Sequence, residues 1–215
     1  MHMKRFLLWF LFFASTAFCV SAQPGPSTPG LGAEAIPGTI RFERTRLLDA
    51  LHVYAQVTGR TLLEHPQLPN VSFSFTAAAT NNAEAARALE KAFSANGIAT
   101  VMDGDEFVMV VPEALALKVH PGSGDIREAN PASRTNDVHF PNIDVNTLLN
   151  IYGSLVGKNF KSTADVGNPQ LSFKSQGKLT REEVLYGFDT LLKWNGVQVV
   201  PLDEKTITAV RISGP

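Results

Sequence analysis

An internal repeat constrains this chain more than any other feature. Phe42, Leu51, Tyr54, Gly59, Asn70 and Phe75 recur 98 residues later as Phe140, Leu149, Tyr152, Gly157, Asn168 and Phe173. After one residue of slip, Asn81, Glu84 and Asn96-Gly97 recur as Thr180, Glu183 and Asn195-Gly196, 99 residues on. An offset held from Ile40 to Val111 and again from Val138 to Ile212 means that one supersecondary unit is written twice. A small module in tandem points to a binding protein.

Within each copy the hydrophobic period changes in a fixed order. Residues 39–43 alternate with Ile40 and Phe42 on one face, a short strand. Leu47, Leu48, Leu51, Tyr54, Ala55 and Val57 then follow helical spacing. Gly59 stops that helix, as Gly157 stops its counterpart, because glycine best adopts the left-handed conformation after a helix end. Thr45 and Asp144 are the expected N-caps. Residues 61–64 and 71–75 read as strands, the latter matched by 169–174 with Leu171 and Phe173 inward. Asn81 with Glu84, and Thr180 with Glu183, form capping boxes that open a second helix. Each copy closes on a hairpin, across Asp103-Gly104-Asp105 and across Asp203-Glu204-Lys205. The order β-α-β-β-α-β-β, twice, sets an α+β fold class with two helices against small mixed sheets per copy.

The ends set the expected compartment. Lys4 and Arg5 precede an apolar run over residues 6–13, and Val20-Ser21-Ala22 offers a signal-peptidase site, so cleavage after Ala22 is expected. The run is too short to span a membrane, which favours export to the periplasm or beyond over anchoring. Lipidation of Cys19 is the rival, weakened by bulky Phe18 where a small residue belongs. Cys19 is the single cysteine, so the exported chain has no disulfide to form. Residues 1–22 carry two basic residues and no acid, so their loss takes the net charge from −1 to −3. A mildly acidic chain lacks the basic footprint of a nucleic-acid partner. Residues 23–37, rich in Pro, Gly and Ser, read as a disordered leader. The modules then occupy 38–112 and 137–213, joined by a linker over 113–136. Its start, 113–119, fits a short strand or a helical turn equally; the part holding His120-Pro121-Gly122-Ser123-Gly124 reads as flexible.

The pattern resembles a known family in the stretches FERTRLLDALHVYAQVTGRTLLEHPQLPNVSFSF and LEKAFSANGIATVMDGDEFVMVV, and again in FPNIDVNTLLNIYGSLVGKNF and LYGFDTLLKWNGVQVV. It is similar to the short N-terminal domain shared by bacterial secretins and TonB-dependent transducers, the second copy more to the first periplasmic domain of type II secretion secretins. The resemblance implies two helices between a two-stranded and a three-stranded sheet, in a periplasmic domain that binds partner proteins. Those partners would be proteins of the bacterial envelope: a secretin or inner-membrane secretion component, or, for a transducer-like signalling module, a regulator. The secretin barrel is not expected in this chain. An adaptor or accessory component of a type II secretion or pilus-like machine is therefore the expected role.

Enzymatic chemistry is not expected. His52, His65, His120 and His139 are scattered, so no metal site is read, and no nucleophile elbow or cofactor motif is present. Gly122-Ser123-Gly124 lacks the lysine of a phosphate loop. Asp103-Gly104-Asp105 reads as a turn, and Glu182-Glu183 as carboxylates at a helix start. Tyr54 and Tyr152 read as core, and the sequon at Asn70 as incidental. The expected mode of binding is sheet-edge addition, at residues 39–43, 138–140, 107–111 and 206–210. Arg41, Glu43, Arg44, Arg46, His139 and Trp194 are the candidate partner-binding residues; Trp194, replacing Ala95 of the first copy, suits a gap between modules or a partner surface.

Overall fold

The computed structural model describes residues 38–126, 133–162 and 166–212. The signal, Cys19 and leader expectations lie outside the described residues. The first half runs β1 (Gly38–Arg46), α1 (Leu47–Thr58), β2 (Thr61–Glu64), β3 (Ser72–Ala79), α2 (Asn82–Ser94), β4 (Ile98–Asp103) and β5 (Phe107–Pro112). The second runs β6 (His139–Asp144), α3 (Val145–Val156), β7 (Asn159–Phe160), β8 (Gln170–Lys174), α4 (Arg181–Trp194), β9 (Val197–Pro201) and β10 (Thr206–Arg211). The class is α+β, as the periodicity dictates. Among the described residues no helix is long and apolar enough to cross a membrane.

Strand pairing in the first half recurs in the second. β1 pairs antiparallel with β3, and β6 with β8, as two-stranded sheets. The three-stranded sheets are ordered β2-β5-β4 and β7-β10-β9. The closing hairpin supplies the antiparallel pair, and the strand after the first helix joins in parallel on the other side. This corrects one expectation. Residues 107–111 and 206–210 are central strands, because β2 and β7 occupy the edges they were expected to leave open. The strands β1 and β6 are edges, as expected.

Local signals explain most boundaries. Gly59 and Gly157 both sit at φ +69°, where a Cβ would be strained, and end α1 and α3. Asp144 caps α3 by accepting from Thr147 N at 3.0 Å. Thr45 does not cap α1: Arg46 holds the cap position without a side-chain bond, since β1 runs directly into the helix with Thr45 still paired to Phe73. Thr180 and Glu183 make a complete, buried capping box on α4. The first box is displaced by one residue. Asn81 accepts from Glu84 N at 2.9 Å, but the Glu84 carboxylate accepts from Thr80 N at 2.8 Å and from Thr80 Oγ at 2.7 Å.

Two hydrophobic cores result, and they share a sheet. Leu51, Tyr54, Leu89 and Phe93 of α1 and α2 pack on Val108 and Val110 of β5. Phe107, Met109 and Val111 project from the opposite face of β5 and, with Leu63 of β2, join Leu149, Phe173, Val184 and Phe188 of the second half. Alternation along the strand therefore divides β5 between the two cores. Every residue from Phe107 to Val111 is buried.

Candidate partner-binding surfaces

The seam between the halves decides which predicted residues remain available. Helix α4 lies close on the first half. A Cβ at Gly187 would stand 2.7 Å from the Phe173 ring and 3.7 Å from Leu63. Trp194, at the end of α4, lies with its ring 5.1 Å from that of His65. The gap-filling role is thus the one the contact shows. His65 is 3% exposed. Its Nδ1 accepts from Gln67 N at 3.1 Å, which puts the hydrogen on Nε2, a buried atom without a partner among the described residues. Burial lowers its pKa by disfavouring the charged ring.

Polar groups pin the linker into the same seam. Asp103, read from sequence as a turn residue, is fully buried. Its carboxylate accepts from Gly122 N at 3.0 Å, Ser123 N at 2.8 Å and the Tyr186 hydroxyl of α4. The Ser123 hydroxyl donates to Asp103 O at 2.6 Å. Gly122 and Ser123 are therefore hydrogen-bonded where flexibility was expected. At the linker's start, the helical-turn alternative is realised at Glu113–Leu115. Arg134 bridges Glu106 of the first half and Glu183 of α4, the latter at 2.9 Å.

Tyr54 is a fully buried core residue, Tyr152 packs half-buried against the second core, and the two have matched anchors. Tyr54 donates to Glu90 Oε1 at 2.8 Å and Tyr152 to Asp189 Oδ2 at 3.3 Å. Burial first, then the neighbouring acid, raises both hydroxyl pKa values, that of Tyr152 to about 12.

The predicted residues of β1 gather on one open edge. Arg41 pairs with Glu43, and Arg46 makes a two-pronged bond to Asp49 at 2.9 and 3.1 Å. Arg44 sits at φ +49° in the bulge between Phe42 and Thr45, its N–H donating to Ser74 Oγ at 3.1 Å. All four side chains are exposed. A bulge bends the strand and re-aims the side chains beside it. The structure thus assembles Arg41, Glu43, Arg44 and Arg46 on β1 and leaves Trp194 in the seam.

His139 belongs to a second place, a cleft of about 300 Å³ between the halves. One wall is α1 and β2, with Leu48, His52, Ala55, Leu62 and Glu64; the other is β6 and β8, with His139, Phe140, Phe173 and Lys174. Leu48 is 52% exposed at its lip. Glu64 is half-buried, and burial alone holds its carboxyl above the usual carboxylate range. Among the described residues no hydrogen bond or ion pair meets that carboxylate. Glu64 escaped the sequence reading, although an acid closing the apolar strand Thr61–Glu64 with the parity of Leu62 was the signal.

No family model matches the sequence. No curated protein matches it either. Two solved structures are similar to part of it. The N0 domain of the type II secretin from enterotoxigenic Escherichia coli is 21% identical, at a TM-score of 0.34 over 37% of this chain and 98% of that one. XcpQN012 is 23% identical, at a TM-score of 0.32 over 38% of this chain and 37% of that one.

Proposed function

We propose that this chain is an exported partner-recognition protein of the bacterial envelope, serving as an adaptor or accessory component of a type II secretion or pilus-like machine. The sequence resemblance to secretin N-terminal domains supports the setting. The open edge of β1 carries the mode of binding. This nine-residue strand pairs with β3 alone and sets Arg41, Glu43, Arg44 and Arg46 beside its unpaired backbone groups. An extended partner segment gains main-chain hydrogen bonds there, and the exposed charges select its sequence. The role is binding, with no chemistry asked of any residue.

The test is capture of purified candidate partners, a secretin periplasmic region and an inner-membrane secretion component, by wild-type protein and by R41E/R46E. Charge reversal on β1 is expected to lower affinity about tenfold at low salt while the circular-dichroism spectrum stays the same. Unchanged affinity for every partner would reject β1 as the recognition edge. Binding of an anti-sigma regulator in place of both candidates would move the protein to signalling.

A further inference from the structure

The cleft between the halves is bounded by two strand edges whose backbone directions can be fixed. On β2, Thr61 N donates to Glu106 O at 2.8 Å, and His65 N donates to Val110 O at 2.9 Å. Residues 61, 63 and 65 therefore turn their backbone groups toward β5. Successive residues alternate in direction, so Leu62 and Glu64 turn theirs away from β5. On β8, Ser175 N donates to Val138 O at 2.9 Å, whereas Gln176 N donates to Thr61 Oγ1 at 3.1 Å. Ser172 and Lys174 share the direction of Gln176, toward β2. The two edges are fastened at Thr61 and Gln176, and past that bond the cleft separates them.

We propose that this cleft receives an extended segment of a partner protein, paired to the Leu62–Glu64 edge and directing a lysine or arginine at Glu64. Two independent features fit this occupant. The backbone groups of Leu62 and Glu64 turned away from β5, and those of Ser172 and Lys174 turned away from β6, suit another strand. A half-buried carboxylate that meets no cation among the described residues offers a charge-assisted bond to an incoming ammonium or guanidinium. Leu48 and Phe140 supply apolar walls for the aliphatic stem and the flanking residues. The inference rests on the reading that the chain recognises protein segments, but it uses a different edge from β1, so each can fail alone.

The experiment titrates the intact protein with two capped peptides, Thr-Val-Lys-Val-Thr and Thr-Val-Glu-Val-Thr, and with n-butylammonium, following backbone amide resonances. The lysine peptide is expected to shift the amides of Leu62, Glu64, Ser172 and Lys174 and to bind at least about tenfold more tightly than the glutamate peptide. E64Q is expected to erase that preference while its spectrum otherwise matches the wild type; R41E/R46E is expected to leave it intact. Equal binding of both peptides, no shift with either, or shifts confined to β1 and β3 would overturn the proposal. Butylammonium binding as tightly as the lysine peptide would overturn the strand and leave a small-cation site. The same amides shifting on concentration of the protein alone would make a second copy the occupant and overturn it too. Partner capture that depends on β1 while the cleft stays silent would refute this site and leave the adaptor reading standing.

Discussion

The two three-stranded sheets share a topology and differ in what covers them. The outer face of β2-β5-β4 carries Leu63, Phe107, Met109, Ala99 and Val101, all of which belong to or pack against the core shared with the second half. The matched face of β7-β10-β9 carries Thr206, Thr208, Val210, Gln198 and Val200, none of which enters either hydrophobic core. At the register positions, Val101 opposite Met109 in one sheet becomes Val200 opposite Thr208 in the other. A sheet buried on both faces needs continuous apolar residues, while one covered on a single face tolerates alternation. The copies have diverged in what covers their outer sheet faces; their strand pairing is the same.

The sharpest way to break this comparison is at its centre. F107A is expected to cost about 3–5 kcal/mol in urea unfolding, as for a fully buried phenylalanine, while the matched T206A stays within about 1 kcal/mol. A loss at F107A as small as that at T206A would mean that burial of this ring in the seam contributes nothing to stability. Next is the polar clamp. D103A takes away the acceptor of the Ser123 amide and of the Tyr186 hydroxyl, while Gly122 N keeps its bond to the Tyr186 oxygen, and is expected to cost about 2–3 kcal/mol. The matched residue Leu202 is 50% exposed, and L202A should cost under about 1 kcal/mol. A smaller effect is expected at G187A. Its new methyl meets the Phe173 ring, for a net loss of about 1–2 kcal/mol despite the better helix propensity of alanine. A88G at the matched place on α2 costs about 1 kcal/mol from propensity alone.

The smallest expected effect depends on pH. Burial depresses the His65 pKa below its ordinary value of 6.5, so its contribution is fully present above that value and is lost as pH falls through the folded pKa. Between pH 7 and pH 5 the wild type should therefore lose more thermal stability than H65F, which keeps a ring against Trp194 and does not titrate. The raised Glu64 pKa acts oppositely, its cost relieved on acidification, but it does so in both proteins and drops out of the difference. Parallel pH profiles would show that the seam does not sense the charge on His65.

Much of the fold was legible because the signals are local. Gly59 and Gly157 announce helix ends, Asp144 and Thr180 announce starts, a short apolar run marks the strand Thr61–Glu64, and alternation marks Gln170–Lys174. The edges were harder. A closing hairpin looks like an edge until a strand from far back in the chain pairs beside it in parallel; the unbroken apolar run over residues 107–111 marks burial on both faces but does not name the strand that pairs there. The candidate site divided the same way. The charges of β1 stand together in sequence and could be named, whereas Glu64 and His139 share a cleft across 75 positions of chain, and Asp103 looks like any turn residue.

By itself, then, the sequence determined the module: its element order, its caps and stops, and the parity of its core residues. Those follow from φ preferences, hydrogen-bond geometry and side-chain period within a few residues. Tertiary structure alone decided that one sheet is covered on both faces, that Asp103 clamps the linker to α4, and that Glu64 lines a cleft without forming an ion pair among the described residues. Burial and charge pairing depend on which distant surface arrives, and the residue pattern within one surface can show that it is covered without naming what covers it.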